Sequence, residues 1–188
     1  MLSALCSAGP AGARSVPVPV SLSGDACRGL GRALLRNVTD ALEIDQLFRG
    51  LNCTEQSAEL RASMRTLSTC TPQNLMCLEG TSKEGNFTFD QDECLQSVLE
   101  DLRYYWSTFK SYRDPDRILE QSVLRSIETL MQDCFSATLL DGARAQISAH
   151  NENSFERRLK LCKVLKGFQI RTITINRVLN HIISSSQI

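Results

Sequence analysis

The sequence has no excess of charge of either sign, because Lys plus Arg and Asp plus Glu number 21 each among its 188 residues. A chain with balanced charge has no general attraction for nucleic acid or for an anionic membrane, so neither is expected as a partner. The sequence also lacks a run of the ~20 apolar residues that a membrane-spanning helix needs, so we expect no insertion into a bilayer. It has only two histidines and no Cys-x-x-Cys pair. A zinc site would therefore lack its usual closely spaced ligands, and no metal or other cofactor is expected.

Motifs that would indicate an enzyme are also missing. The Gly-Leu-Gly stretch at Gly29–Gly31 lacks the preceding strand that a phosphate-binding turn requires. The acidic pair Asp114 and Asp116 is explained by the capping of a helix. His150 lies in a polar stretch, and no Ser or Cys has a nucleophile motif around it. We therefore expect a protein that is not an enzyme.

Cysteine, in contrast, is abundant. The eight cysteines are Cys6, Cys27, Cys53, Cys70, Cys77, Cys94, Cys134 and Cys162. Because metal binding does not explain them, we interpret them as a disulfide set, which indicates an oxidising compartment. Three N-x-[ST] acceptors for N-glycosylation begin at Asn37, Asn52 and Asn86. Together these features predict a secreted, extracellular glycoprotein.

The beginning of the chain differs from the rest. It holds small residues and a weak apolar start, but no basic segment followed by an uninterrupted apolar segment. We interpret residues 1–26 as a degenerate or truncated signal followed by a Pro/Ser-rich leader, which we expect to be mobile. Residues 27–188 then form one folded domain, because a chain of this length suits one buried core better than two.

Apolar residues recur at helical spacing from Asp25 on. The first predicted helix covers Cys27–Phe48, and Gly50 follows it at a position typical of a helix end. Asn37 lies off the apolar stripe of this helix, so its sequon is predicted to face solvent. The stripe comprises Leu30, Leu34, Val38 and Leu42.

A long connection and two further helices follow. Residues 51–91 show no sustained period, and the cysteines among them could hold such a long connection in place. The second helix is predicted from Leu95 to Tyr112, with an aromatic stripe that we interpret as core. The third helix is predicted to start with Asp114 as its N-cap and Pro115 at its first position. Only a few residues separate these two helices, which predicts an antiparallel hairpin.

The last segment, from Ser154 to Ile183, includes a stretch at Gln169–Asn176 whose β-branched residues resemble a strand. Neither the odd nor the even positions of that stretch form a clean apolar face, so a strand explains the pattern poorly. At the ~100° per residue of a helix, the segment separates into two apolar stripes. The broad stripe, predicted to face the core, comprises Leu161, Val164, Leu165, Phe168, Ile175, Val178, Leu179, Ile182 and Ile183. The narrower second stripe comprises Phe155, Leu159, Cys162, Ile170 and Ile173, and Arg177 lies on it.

The second stripe needs a neighbour of its own. The long connection could cover its early part, through a disulfide from Cys162 to a cysteine of the connection. Toward Ile173 and Arg177 this explanation weakens, because a buried arginine would need a carboxylate close by. The other interpretation is a partner protein, since the planar guanidinium group pairs with buried carboxylates at interfaces. We favour a partner at this end.

The helices and their connections predict an all-α, up-up-down-down four-helix cytokine bundle, in which a long first connection joins two parallel helices. Three stretches resemble the interleukin-12 alpha-subunit family of long-chain four-helix cytokines. Phe155–Ile182 is similar to the last helix of that family, with its F-x-x-x-x-K-L-C, F-x-I-R and T-I-x-R-V motifs. Cys94–Tyr112 is similar to the second helix, and Leu35–Glu55 matches the first helix and its exit cysteine more loosely. The resemblance covers the chain from about Cys27 to Ile183.

The resemblance implies a secreted cytokine chain that joins a beta subunit, a receptor-like chain of immunoglobulin and fibronectin modules. The heterodimer is expected to bind cell-surface cytokine receptors and to signal to immune cells. Arg177, in the T-I-x-R-V motif, is implied to enter a pocket of the beta subunit and to meet an acidic residue there. An aromatic residue that the family places four residues later is His181 here, so we expect a solvated interface residue and no stacking at that position. The predicted partner-binding residues are Ile170, Ile173, Thr174, Arg177 and His181.

The resemblance also implies two disulfides, one from the exit of the first helix to the last helix and one from the long connection to the second helix. These are Cys53–Cys162 and Cys70–Cys94. Cys27 is left with two possible partners, Cys77 in the connection and Cys134 at the end of the third helix. If Cys27 pairs with Cys134, then Cys77 is available for a covalent link to the beta subunit.

Two other interpretations stay open. The chain could be a stand-alone or differently partnered helical cytokine. It could also be a disulfide-stapled helical carrier of lipids or other apolar ligands. Such carriers usually have adjacent Cys-Cys or Cys-x-Cys pairs, which this sequence lacks, and they need an internal cavity in place of an aromatic core.

Overall fold

Every regular element in the described residues is helical, which confirms the all-α prediction. A computed structural model describes residues 24–71, 90–112, 114, 116–137 and 154–185 of the chain. The α-helices are α1 (Gly24–Leu42), α2 (Asp45–Phe48), α3 (Thr66–Thr69), α4 (Gln91–Lys110), α5 (Arg125–Phe135) and α6 (Ser154–Ser185). A 3-10 turn covers Cys53–Glu55, and a π-helical segment, Glu120–Leu124, leads directly into α5. Among the helices of these ranges, none is both long and apolar enough to cross a bilayer.

The stretch with many β-branched residues is helical. Gln169–Asn176 lies within α6, a helix of 32 residues. Burial of one face against other helices therefore outweighs the strand preference of single β-branched residues. All members of the predicted broad stripe are buried, namely Leu161, Val164, Leu165, Phe168, Ile175, Val178, Leu179, Ile182 and Ile183.

The first predicted helix is in fact two helices, so the prediction of a single helix over Cys27–Phe48 is wrong. Ile44, between α1 and α2, has an extended backbone with φ −77° and ψ 105°. The change of direction at this residue lets Phe48 enter the core, where its side chain is 2% exposed. Gly50 follows α2 with a φ of 83°, a conformation that glycine adopts without strain and that suits the end of a helix.

Asn37 lies off the buried face of α1, as predicted, but it faces solvent only in part. The residue is half-buried. Its Nδ2 donates a hydrogen bond to the Ser126 hydroxyl of α5 at 2.6 Å. The side-chain amide therefore lies between α1 and α5.

Asp114 caps the third long helix, as predicted, but the helix begins later in the chain than predicted. Its carboxylate accepts hydrogen bonds from the backbone N–H groups of Ile118 and Leu119 at 3.0 and 2.7 Å. Arg117 has a φ of 54°, which no right-handed helix contains, so the helical turn begins after it. Pro115, the predicted first helical residue, lies outside the described residues.

Three disulfides cross-link the described ranges. They are Cys27–Cys134, Cys53–Cys162 and Cys70–Cys94. The second and third are the pairs that the family resemblance implies. Cys27 bonds with Cys134, so the alternative pairing of Cys27 with Cys77 is wrong, and Cys77 itself lies outside the described residues.

Helices α4 and α6 meet at an aromatic cluster. The ring centroids of Tyr105 and Phe168 are 4.4 Å apart, and those of Phe109 and Phe168 are 5.4 Å apart. All three side chains are buried, which confirms that this part of the aromatic stripe forms core. Trp106 lies at the edge, half-exposed, where its Nε1 donates to a Glu128 carboxylate oxygen at 2.9 Å.

Removal of the Cys53–Cys162 bond should cost more stability than removal of the Cys70–Cys94 bond. In the chain-entropy model, a bond across 109 residues stabilises by about 4.5 to 5 kcal/mol, and a bond across 24 residues by about 3 to 3.5 kcal/mol. Replacing each pair by alanine and measuring urea unfolding should show the larger loss for the longer loop. Equal losses would mean that loop length does not set these contributions.

Candidate partner-binding surface

The first part of the outer face of α6 is covered by the first connection, the segment between α2 and α4. The Cys53–Cys162 disulfide fastens this segment to α6, and the Glu59 N–H donates to the Lys163 carbonyl at 2.9 Å. The two backbones approach so closely at Gly167 that a Cβ there would overlap the Glu59 carbonyl. The interpretation that the long connection covers the early part of the second stripe is thus confirmed at Cys162, but not at Phe155, which is exposed.

Past this cover, the outer face of α6 is exposed. Ile170 is 45% exposed and Ile173 is 38% exposed. Arg177 and His181 are exposed, and Thr174 is half-buried. These five residues recur at helical spacing along one side of successive turns and are hereafter the α6 outer stripe. It unites all the predicted partner-binding residues on one continuous surface.

Arg177 has no internal partner in the part of the chain that the structure describes. No described carboxylate forms an ion pair with its guanidinium group, and no described atom accepts a hydrogen bond from that group. The group carries five N–H donors, all of which remain available to an external carboxylate. Ile173, one turn away, gives Arg177 an apolar neighbour on the same stripe.

The other end of the second stripe forms a separate patch. Phe155 is 52% exposed, and Leu159 is half-buried. Cys162, which follows on the same stripe, is buried under the first connection by its disulfide. The second stripe is therefore divided into two patches, and only the later one contains the arginine.

A second arginine of α6, Arg171, is buried and was not among the predicted site residues. Its Nε lies 3.2 Å from the Asp101 Oδ2 of α4, and both side chains are 4% exposed. The Thr66 hydroxyl of α3 donates to the same carboxylate oxygen at 2.5 Å. One carboxylate thus joins α4, α6 and the first connection.

Burial controls the protonation of this cluster. It raises the pKa of the Asp101 carboxyl, while the hydrogen bond from Thr66 and the charge of Arg171 lower that pKa by less. Burial also raises the pKa of the Tyr105 hydroxyl to about 12. An uncompensated charge is therefore costly here, and the ionised form of Asp101 depends on its two partners.

The spacing of α6 contains a signal for Arg171. Phe168 and Ile175 lie three residues before it and four after it, so Arg171 falls on the buried stripe. A charged residue on a buried stripe requires an internal partner of opposite charge. Asp101 lies on the buried side of α4 in the same way, one turn before Tyr105.

Replacement of Arg171 by methionine should destabilise the chain, whereas Arg177→Met should have little effect on stability. Removal of one member of a buried ion pair costs about 3 to 5 kcal/mol because the other charge is left uncompensated. An exposed surface substitution typically costs less than about 0.5 kcal/mol. Urea unfolding of both variants measures the difference, and Asp101→Asn combined with Arg171→Met should lose less than the sum of the single changes. Equal losses for the two arginines would contradict their assignment to an internal and an external face.

Comparison with known proteins places the chain in a family. The family model described as interleukin-12 alpha subunit matches residues 5–185. The interleukin-12 subunit alpha of Cervus elaphus is 28% identical over 199 residues, covering 92% of this chain and 89% of the relative. That of Bos taurus is 28% identical over 200 residues, with the same coverage of 92% and 89%. The Sigmodon hispidus protein of the same name is 38% identical over 101 residues, which are 49% of this chain and 45% of that protein. Because the family match extends over nearly the whole sequence, the chain belongs to the interleukin-12 alpha-subunit family of cytokines.

Proposed function

We propose that this chain is a secreted cytokine alpha chain that pairs with a receptor-like beta subunit to form a heterodimeric interleukin-12-type cytokine. The heterodimer binds cell-surface cytokine receptors and signals to immune cells. The α6 outer stripe is the observation that carries the proposal. It combines exposed apolar side chains with an arginine that has no partner among the described residues.

Arg177 acts as the anchor of this interface. Its planar fork forms two parallel hydrogen bonds with a carboxylate of the beta subunit. Ile170 and Ile173 exclude water from one side of that pair when the partner covers them, which strengthens the electrostatic attraction. Thr174 lies among them, and His181 occupies the solvated rim at the end of the stripe.

The disulfides support an extracellular role and leave one candidate for a covalent link. Three disulfides within the described residues are typical of a protein from an oxidising compartment. They use six of the eight cysteines, which leaves Cys6 and Cys77. Cys6 falls in the segment interpreted as a signal, so Cys77 is the residue that we assign to the bond with the beta subunit.

The directions of α1, α5 and α6 support an up-up-down-down bundle. The Arg28 guanidinium near the start of α1 donates to the Ser184 hydroxyl near the end of α6 at 2.9 Å. Cys27, also near the start of α1, is bonded to Cys134 near the end of α5. Both α5 and α6 therefore run opposite to α1.

The direction of α4 supports the same topology. Asp101 of α4 contacts Arg171 of α6, whereas Tyr105, one turn later in α4, packs on Phe168, almost one turn earlier in α6. Helix α4 thus runs opposite to α6 and in the direction of α1. Two consecutive long helices in one direction followed by two in the other direction is the topology of helical cytokines.

The carrier of apolar ligands is supported less well. Aromatic side chains fill the space between α4 and α6, where such a protein would need a cavity. A pocket of about 240 Å³ between α1, α6 and the first connection has a mixed polar and apolar lining that includes the charged residues Glu43 and Lys166, and it is smaller than most pockets that enclose a ligand. Its lining residues are Thr39, Leu42, Glu43, Cys53, Thr54, Lys166 and Gln169.

Co-expression with an interleukin-12-type beta subunit should raise the secreted amount of this chain and yield a disulfide-linked heterodimer on a non-reducing gel. Cys77→Ser should remove the covalent band but leave a heterodimer that co-purifies under native conditions. A chain that is secreted equally well alone, as a monomer that never co-purifies with the beta subunit, would contradict the proposal and favour a stand-alone cytokine.

The substitution Arg177→Ala should weaken heterodimer assembly without changing the helix content measured by circular dichroism. Truncation of an anchor residue typically costs 2 kcal/mol or more, which is about a 30-fold loss of affinity. Arg177→Lys should lose part of this affinity, because it keeps the charge but not the fork. Arg125→Ala, at an exposed position of α5, is the matched control and should leave assembly unchanged. If Arg177→Ala assembled as well as the control, Arg177 would be an ordinary solvated side chain.

A further inference from the structure

Two N-glycosylation sequons lie in the described residues, and the structure places them in opposite environments. One is Asn37-Val38-Thr39 within α1, and the other is Asn52-Cys53-Thr54 at the 3-10 turn after α2. Both match the acceptor pattern equally well in sequence. Their surroundings differ in exposure, backbone conformation and hydrogen bonding.

Asn52 has the features of an accessible acceptor. It is exposed, and its extended backbone, with φ −75° and ψ 103°, precedes the 3-10 turn. Its Oδ1 accepts hydrogen bonds from the Thr54 N–H at 3.0 Å and from the Thr54 hydroxyl at 2.7 Å. Within the described ranges, its Nδ2 donates to the exposed carboxylate of Glu55 alone, at 2.9 Å, and this surface contact is lost at little cost. The amide nitrogen therefore faces solvent with the threonine hydroxyl beside it.

Asn37 is constrained, because both polar residues of its sequon form hydrogen bonds with other helices. Its Nδ2 donates to the Ser126 hydroxyl of α5. The Thr39 hydroxyl donates to the Leu35 carbonyl at 2.9 Å and accepts from Gln169 Nε2 of α6 at 3.0 Å. The sequon therefore ties α1 to two other helices, and a sugar on Asn37 would have to enter the contact between α1 and α5.

We infer that the secreted, folded chain carries an N-linked glycan on Asn52 and none on Asn37. The donor is an oligosaccharide linked through pyrophosphate to a membrane lipid. A bond forms between the Asn52 nitrogen and the anomeric carbon, the bond from that carbon to the pyrophosphate oxygen breaks, and the lipid pyrophosphate leaves with the electron pair. The nitrogen gives up one proton to the transferase.

The order of synthesis favours transfer to Asn52 in spite of its neighbour Cys53. Cys53 is 3% exposed in the folded chain, where its disulfide holds it against α6. Its partner Cys162 is 109 residues later, which at about 5 to 20 residues per second is a delay of roughly 5 to 20 s. The Asn52 sequon stays free of this constraint during that interval. The Asn37 sequon is equally free then, because Ser126 follows it by 89 residues. A chain that received a sugar at Asn37 could not close the contact between α1 and α5, and would be lost before secretion of the folded protein.

The test uses the full chain expressed in mammalian cells together with a beta subunit. The third sequon, at Asn86, lies outside the described residues and is removed by Asn86→Gln. In that background, PNGase F should still shift the band of the chain, and the further change Asn52→Gln should abolish the shift. Asn37→Gln in the same background should leave the shift unchanged. Treatment with PNGase F in heavy-oxygen water, followed by peptide mapping, should label position 52 and not position 37.

Two results would overturn the inference. One is a PNGase F shift that remains after both Asn52 and Asn86 are replaced, because Asn37 is then the remaining sequon. The other is an absence of label at Asn52 in both secreted and intracellular chain.

The hydrogen bond by which Asn37 joins α1 to α5 is tested separately. Ser126→Ala should lower Tm by about 2 to 4 °C, because this one hydrogen bond is lost. Ser57→Ala, at an exposed position, should leave Tm unchanged, and equal Tm values for both variants would reject that role.

Discussion

The buried ion pair between Arg171 and Asp101 joins the parts of the chain on which the remaining architecture depends. It links the middle of α6 to α4, and Thr66 adds the first connection to the same carboxylate. A buried ion pair adds little net stability over a well-packed apolar pair, but breaking it is costly. The pair therefore penalises any sliding of α6 along α4 and fixes the position of the α6 outer stripe relative to the bundle.

Two arginines on α6 differ in burial and in pairing. Arg171 and Arg177 are six residues apart in the sequence, so their side chains point in directions that differ by roughly 240° around α6. The first meets a carboxylate from its own chain. The second remains exposed on a surface that also carries Ile170 and Ile173. Two residues of the same chemistry thus differ in their surroundings through the face they occupy, and only the exposed one is proposed to bind the partner.

Sequence periodicity predicted the faces of the helices well, since the apolar stripe of α6 is buried at every predicted position. The exposure of Ile170, Ile173 and Arg177 also agrees with the two-stripe pattern. Periodicity describes only the helix to which it belongs and contains no information on what lies opposite. The contact of Asn37 with Ser126 spans 89 residues, so the prediction of a solvent-facing sequon could not include it.

Local backbone changes were the other source of error. The break at Ile44 interrupts an apolar pattern that would otherwise continue, because burial of Phe48 depends on the neighbouring helix and not on local spacing. The helix after Asp114 starts late because Arg117 adopts a positive φ, which arginine rarely does and which no composition rule indicates. The pairing of Cys27 stayed open for a similar reason, since the resemblance assigned only the other two bonds, and the contact between the start of α1 and the end of α5 appears only in the folded chain.

The contact of Arg28 with Ser184 also has a consequence for protein engineering. It brings Gly24, where α1 begins, and Ser185, where α6 ends, to the same end of the bundle. Arg177 and His181 lie in the final turns of α6, near that end. A tag or fused domain attached closely to either end would therefore crowd the α6 outer stripe. A circular permutant that joins these two helix ends through a short linker, and that is opened at the opposite end of the bundle, would have both new termini away from that surface.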